Sequence, residues 1–525
     1  VRRLPAVVAG GLLAAAALAG CGSSPHTTST STTTTTSPIG FSGQVVSPPT
    51  AQAAPPAKIS WSSCQGHYEC GKLAVPISYS DPSEGVIHLA VIELPATGPH
   101  PIGDVVLNPG GPGASGIQYL EQSAGQFPAS LRAHFGLVSF DPRGIGASEP
   151  VTCEPPAGIR ALVALPPAPA TPAQVRQVEA ATRRFVAGCA ASVPHDVLEN
   201  LSTAVTARDL DRLRVALGQP KLTYLGFSYG TFLGATYAQL FPTHVRAMVL
   251  DGAVDPAIAT EPFEQQQSAA FEVDLHDFLS WCGGSGLCGT ISSSGDAQRT
   301  FEQLMSRFAG GMTEPAAVPV SFGGPQTVTY GVALLGVLTG LYSPSSWPDL
   351  GAALTQAEQG NGLDLALFAD FYAGQQQDGS FANIVSAENA IGCLDRPSPA
   401  GIATYQALAK RLAVSAPDFG PAEAWGSLSC SYWPVAPTGA PFTVHAPGLP
   451  PAVVVGSTHD PATPYRWAQE LTAQLPGAVL LTRTGDGHTA YSNSSCVRSW
   501  VDRYLTTLSL PPQHTVCASD GSGLP

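Results

Sequence analysis

Lysine is nearly missing from this sequence, with four residues, Lys58, Lys72, Lys221 and Lys410, in 525. Basic residues are scarce as a whole, 24 Lys and Arg against 38 Asp and Glu, for a formal charge of −14. A nucleic-acid partner demands a basic face that neutralises phosphates, so that class is excluded. The acidity is local: 17 acidic and 5 basic residues fall between Pro256 and Pro451, against 21 and 19 elsewhere. It reads either as a solvated acidic surface or as a field that draws in cationic groups such as a peptide α-amine. Zinc-type cysteine spacing is also lacking, as are an H-E-x-x-H pair and any internal repeat, so neither metal nor cofactor is expected. Disorder is excluded in turn, because 44% hydrophobic content in a chain of this length buries a large core.

No apolar run is long enough for a confident membrane helix. The longest, Leu4 to Leu18, follows Arg2 and Arg3 and ends in Leu18-Ala19-Gly20-Cys21. A basic start, a short apolar stretch and small residues before a cut site read as a signal peptide over 1–20. The cysteine that follows resembles a bacterial lipobox, which implies lipid on Cys21, anchorage at the outer face of the cytoplasmic membrane and partial release. Residues 21–57, rich in Ser, Thr and Pro with an unbroken run from Thr32 to Thr36, read as a disordered stalk. Ten further cysteines in an exported chain suggest five disulfides. Pairing of sequence neighbours gives Cys64 with Cys70, Cys153 with Cys189, Cys282 with Cys288, Cys393 with Cys430, and Cys496 with Cys517.

Order begins near Trp61. Gly71 to Ile77 and Val86 to Leu94 read as a hairpin; Asp104 to Asn108 and Gly136 to Phe140 read as apolar strands, each ending in a glycine-rich turn. An amphipathic helix over Thr203 to Leu217 then precedes the apolar run Lys221-Leu-Thr-Tyr-Leu-Gly-Phe-Ser-Tyr-Gly230. Alternating strands and helices predict an α/β fold, a mostly parallel sheet covered on both faces, over 58–255 and 452–525. From 256 to 451 the strand rhythm gives way to helical patterns, which predict an inserted, mainly helical cap.

Gly226-Phe-Ser-Tyr-Gly230 has the form G-x-S-x-G between a strand and a helix, the setting of a nucleophile elbow with Ser228 at its apex. A serine hydroxyl needs a base, and the base needs an orienting acceptor. In this fold the acid and base follow two later strands, and the chain supplies Asp460 after Pro451–Gly456 and His488 after Ala478–Arg483. The rival acids are Asp251 and Asp486. Among the histidines, His459 reads as loop structure, and His244, His276, His445 and His514 as surface or core residues. Oxyanion donors are expected from the backbone of Tyr229 and from the Gly110-Gly111 loop. Gly111-Pro-Gly-Ala-Ser-Gly116 also matches a dinucleotide fingerprint, with Asp141 beyond it. That oxidoreductase reading leaves Ser228, Asp460 and His488 unexplained.

Asn108-Pro-Gly-Gly-Pro-Gly113, Asp141-Pro-Arg-Gly-Ile-Gly-Ala-Ser148, Gly226-Phe-Ser-Tyr-Gly230, Val249-Leu-Asp-Gly252, Asp460-Pro-Ala-Thr-Pro464 and Gly487-His488 together resemble the secreted and lipoprotein tripeptidyl aminopeptidase–proline iminopeptidase group of α/β-hydrolases. The resemblance spans Trp61 to Cys517. It implies a peptidase acting at free amino termini, with Ser228, Asp460 and His488 as triad and Gly111 with Tyr229 as oxyanion hole. It also implies Thr463 as support for the acid, and cap acids that grip the substrate's ammonium, for which Glu261, Glu264 and Glu388 are candidates. Asn108 stands where iminopeptidases carry histidine. A carboxylesterase or lipase with the same triad is the alternative, and a non-catalytic surface-binding lipoprotein the remote one.

Overall fold

The computed structural model describes residues 58–313, 327–376 and 378–520. The expected signal peptide, Cys21 and the stalk lie outside the described residues. Ten strands form one sheet: β1 (Ser62–Cys64), β2 (Tyr68–Pro76), β3 (Val86–Leu94), β4 (Gly103–Asn108), β5 (Phe135–Phe140), β6 (Leu222–Phe227), β7 (Val245–Asp251), then, past two short strands noted below, β10 (Val453–His459), β11 (Val479–Asp486) and β12 (Val516–Cys517). Their order is β1-β2-β3-β5-β4-β6-β7-β10-β11-β12, antiparallel through β3 and parallel from β5 onward.

The central strands are largely apolar because both faces are covered. Along β4, Val105 and Leu107 join the layer that packs on the terminal helix Ser495–Thr507, while Val106 faces the opposite layer with Tyr224 and Trp467. Val453 and Val455 against Val454 in β10 repeat the alternation, as a period of two requires. Register then aligns the strand ends. Phe227 of β6 pairs with Asp251 of β7, and Asp251 with Val455 of β10, so the residues that follow emerge together at the carboxyl edge. That edge is where open parallel sheets place their ligands.

Arg143, in the turn after β5, is buried and braces the neighbouring loops. Its guanidinium donates to Asp209 through Nε at 2.6 Å and Nη2 at 2.7 Å, and to the carbonyls of Pro76, Ile77 and Asn200. Removing Asp209 would strand a buried charge, at a cost of about 3–5 kcal/mol.

Between β7 and β10 the chain is mainly helical. The long helix Thr260–Ser285 packs with Tyr330–Leu341, Trp347–Glu358 and Leu363–Tyr372 around a separate apolar core that includes Phe271, Phe278 and Leu350. A ribbon of two-residue strands, β8 (Met312–Thr313) and β9 (Thr327–Val328), interrupts the helices. All five expected disulfides are formed. Two of them hold strands too short to leave a sequence signal, β1 through Cys64–Cys70 and β12 through Cys496–Cys517. Among the described residues no helix is long and apolar enough to cross a membrane.

Candidate active site

Ser228 sits between β6 and the helix Tyr229–Leu240 at φ 54 and ψ −125, a left-handed conformation that a non-glycine residue holds only when its surroundings fix it. Its N–H donates to the Asp251 carbonyl at 2.9 Å, and its carbonyl accepts from Thr231 N at 2.8 Å and Thr231 Oγ1 at 2.6 Å. The flanking glycines are steric necessities. A Cβ on Gly226 would strike the Gly230 carbonyl, and one on Gly230 would stand 2.7 Å from the Asn108 carbonyl. The helix starts at Tyr229, directly after Ser228, which occupies its cap position.

Asp460 and His488 meet across the ends of β10 and β11. His488 Nδ1 lies 2.8 Å from Asp460 Oδ1 and 3.0 Å from Oδ2, with both side chains buried. The carboxylate is fixed further by N–H donors from Ala462, Thr463 and Thr489. His488 Nε2 is buried and makes no hydrogen bond, so the imidazole presents one unengaged nitrogen. Gly252, next to the carbonyl that holds Ser228, ties the pieces together: a Cβ there would lie 3.2 Å from both His488 Cε1 and Thr463 Oγ1. Thr463 Oγ1 itself stands 3.3 Å from His488 Nδ1.

The rivals are engaged elsewhere. Asp251 accepts from the backbone of Ala490 and Tyr491 and so holds the histidine's loop rather than its ring, and burial raises its pKa to about 6. Asp486 and His459 face each other and Asp277. Asp141 accepts from Ser115 Oγ and from the N–H groups of Ile117 and Ala147. This spends its carboxylate on loop bracing, as no ribose-binding acid would be. Asn108, the departure from the histidine of the iminopeptidases, closes its loop by accepting from Gly110 N at 3.1 Å. Gly110 and Gly111 run at φ 101 and 105, which brings this loop against the elbow.

One cavity is lined by Ser228, Tyr229, Gly111, Thr463, Gln267 and Asp395, among others. Asp395 accepts from the N–H and hydroxyl of Thr203, and burial raises it to about 6; Arg396 beside it is lowered to about 10 by burial and covers the Phe263 ring at 4.5 Å. A second cavity, of about 240 Å³, lies mainly in the helical insertion, with Val163 and Pro167 closing it from outside, and is lined by Glu388, Glu423, Tyr372 and Phe271 among apolar neighbours. Burial pushes Glu423 up to about 8, and burial together with the Glu423 charge holds Glu388 well above the ordinary range. Glu264, fully buried, accepts from Ser427 Oγ at 3.3 Å through one oxygen and leaves the other without a partner. It too is raised, first by burial and then by Glu423. Tyr342 joins this region to the histidine. Its ring stands edge-on to His488 at 5.5 Å, its carbonyl accepts from His488 N, and its hydroxyl feels Glu388, Asp460 and Glu423.

Of the sequence candidates, Glu388 therefore faces a cavity and Glu264 is buried beside it. Glu261 requires correction, because its carboxylate is held by Arg411 at 2.7 Å and lines neither cavity. Glu423 and Tyr342 escape sequence reading, since neither stands at a fixed spacing from the strand-end motifs.

Family descriptions match two parts of the chain, "alpha/beta hydrolase fold" over residues 104–328 and "TAP-like protein" over 416–517. The chain is 36% identical over 473 residues to Serine protease Hip1 of Mycobacterium tuberculosis, covering 87% of this chain and 91% of that protein. It is 36% identical over 477 residues to Carboxylesterase B of the same organism, with 87% and 90% covered. It is 31% identical over 501 residues to Tripeptidyl aminopeptidase of Streptomyces coelicolor, with 90% and 88% covered.

Proposed function

The chain belongs to the α/β-hydrolase group of serine peptidases, and on that premise we propose that it is an exported enzyme that releases short peptides from free amino termini through an acyl-enzyme. Ser228 Oγ attacks the acyl carbon, and the unengaged Nε2 of His488 takes its proton. Asp460 holds the Nδ1–H tautomer and stabilises the imidazolium. The N–H groups of Tyr229, at a helix start, and Gly111 receive the oxyanion. His488 then protonates the departing amine, and water, deprotonated by the same imidazole, releases the acyl group.

The observation that carries the peptide reading is the buried acid group. Glu423 lies within electrostatic reach of both Glu264 and Glu388, none of the three forms an ion pair with Lys or Arg among the described residues although Glu264 feels the more distant Arg396, and Glu388 and Glu423 border the histidine through Tyr342. Uncompensated carboxylates at such depth are costly and hold protons until a cation arrives. An ammonium entering the helical cap supplies that cation and ionises them, and this places the substrate's amino terminus in the cap and its acyl carbon at Ser228. N-acetylating a good peptide substrate is expected to lower kcat/KM on the order of 100-fold, the cost of leaving a buried charge partner unmatched. Glu388→Gln and Glu423→Gln are expected to raise KM for free-amine substrates while leaving N-acetylated ones unaffected. An unchanged kcat/KM on acetylation would refute amine recognition and leave serine hydrolysis standing.

The relative named Carboxylesterase B supports a second reading, ester hydrolysis at the same triad. Efficient turnover of short acyl esters with no detectable turnover of aminoacyl or tripeptidyl amides would decide for it. Export rests on the sequence start and on the five disulfides, which persist outside the reducing cytoplasm. The lipid anchor at Cys21 makes its own demand: Cys21→Ala should move the protein from the membrane fraction to the soluble one, and an unchanged distribution would refute the anchor.

A further inference from the structure

The long helix Thr260–Ser285 meets the ends of β10 and β11 at a group that the proposed chemistry does not use. His459 Nδ1 lies 2.8 Å from Asp486 Oδ1 and 3.0 Å from Asp277 Oδ2, and one ligand atom from each of the three residues falls within 4.8 Å of the others. Their side chains are between a quarter and half exposed, so solvent reaches the group. One helical turn before Asp277 stands Asp274, only 1% exposed, whose two carboxylate oxygens have no hydrogen-bond partner. The charges it feels most strongly are those of Asp486 and Asp277, in that order. The nearby Arg483 spends Nη1 on Ser457 Oγ and the carbonyl of Asp486 rather than on a carboxylate of the group. Two carboxylates thus face a single imidazole, and behind them Asp274 has, among the described residues, no hydrogen-bond partner on either oxygen.

We propose that Asp277, His459 and Asp486 bind one divalent transition cation of the zinc or manganese class, with Asp274 behind them as a third, buried carboxylate. Mixed imidazole and carboxylate donors suit such ions, whereas calcium prefers oxygen alone. Donors around tetrahedral zinc at about 2.1 Å stand about 3.4 Å apart, a spacing that these side chains reach by small rotations. The ion would join three segments of chain. Asp277 belongs to the helical insertion, His459 precedes Asp460, and Asp486 lies two residues before His488; Gly487 N already donates to the His459 carbonyl at 2.9 Å. A bound cation would pin the insertion to both loops that carry the proposed acid and base. Its role is positioning, since none of its ligands touches the reacting atoms.

The test uses the purified mature protein, stripped with chelator and titrated calorimetrically with zinc, manganese and calcium chlorides. Thermal melting is followed in parallel. One zinc or manganese ion per chain is expected, with the melting temperature raised on the order of 3 °C at a hundredfold excess over Kd. Asp277→Asn and His459→Gln, each at a part-exposed side chain, should melt near the metal-free wild type and bind at least about 10-fold more weakly. Absence of binding in the wild type would overturn the proposal, as would calcium binding without zinc or manganese. Binding undiminished in both variants would place the ion elsewhere and overturn it too. Should one variant fail to fold, the other and the wild-type titration still decide.

Discussion

Ser228→Ala is expected to lower kcat on the order of 10⁶-fold while the melting temperature stays close to that of the parent. Among the described residues the hydroxyl makes no hydrogen bond. What fixes the elbow is backbone, namely Ser228 N on the Asp251 carbonyl and the Thr231 contacts to the Ser228 carbonyl. Alanine tolerates φ 54 about as well as serine does, so the turn loses its nucleophile and little else. A fluorophosphonate probe should label the parent protein and leave the variant unlabelled. Equal labelling of both would place the nucleophile at another residue. A folded parent that never labels would favour the non-catalytic binding lipoprotein.

Asp460→Asn is expected to cost about 10⁴-fold in kcat, because an amide presents the wrong hydrogen-bonding group to Nδ1 and lets the imidazole adopt the wrong tautomer. The informative comparison is Asp251→Asn. Asp251 touches the histidine's loop through the N–H groups of Ala490 and Tyr491, so its loss should appear mainly as lower stability. The sign with pH follows from burial. The folded pKa of about 6 lies above the ordinary carboxylate value, so the contribution of Asp251 to stability is full at low pH and falls as the pH rises through about 6. Asp251→Asn should flatten that part of the stability profile, and Asp460→Asn should leave it in place. If Asp251→Asn instead lost the larger share of kcat at unchanged stability, the acid would be misassigned.

The sheet was legible because its central strands are buried on both faces, which produces the mainly apolar runs at 104–108 and 222–227. The glycine-rich turns were legible for a steric reason, since Gly226 and Gly230 have no room for a side chain. Disulfide partners could be read from sequence order because each bridge closes a short local loop, of 6 to 37 residues. The acid group in the helical insertion was legible only as local negative charge. Helices converge by packing, which imposes no fixed spacing on the residues they bring together, so Glu388 was reached as one of several candidates and Glu423 not at all. Glu261 misled for the same reason: composition marks an acid without showing that Arg411 already holds it. Tyr342 is invisible in the sequence because its contribution to His488 runs partly through a backbone carbonyl.

That carbonyl has a consequence for how such enzymes change over time. The backbone of His488 is fastened to Tyr342, and Gly487 lies so close beneath Pro344 that a Cβ would stand 2.8 Å from its ring. The helical roof over the proposed site and the seat of His488, the proposed base, are therefore one mechanical unit. Grafting a foreign roof to obtain new specificity would carry a foreign seat with it, unless Tyr342 and Pro344 travelled unchanged. Substitutions at Leu334 and Leu338, in the walls of the inner chamber, should therefore alter selectivity with less disturbance of that seat than exchange of the whole module.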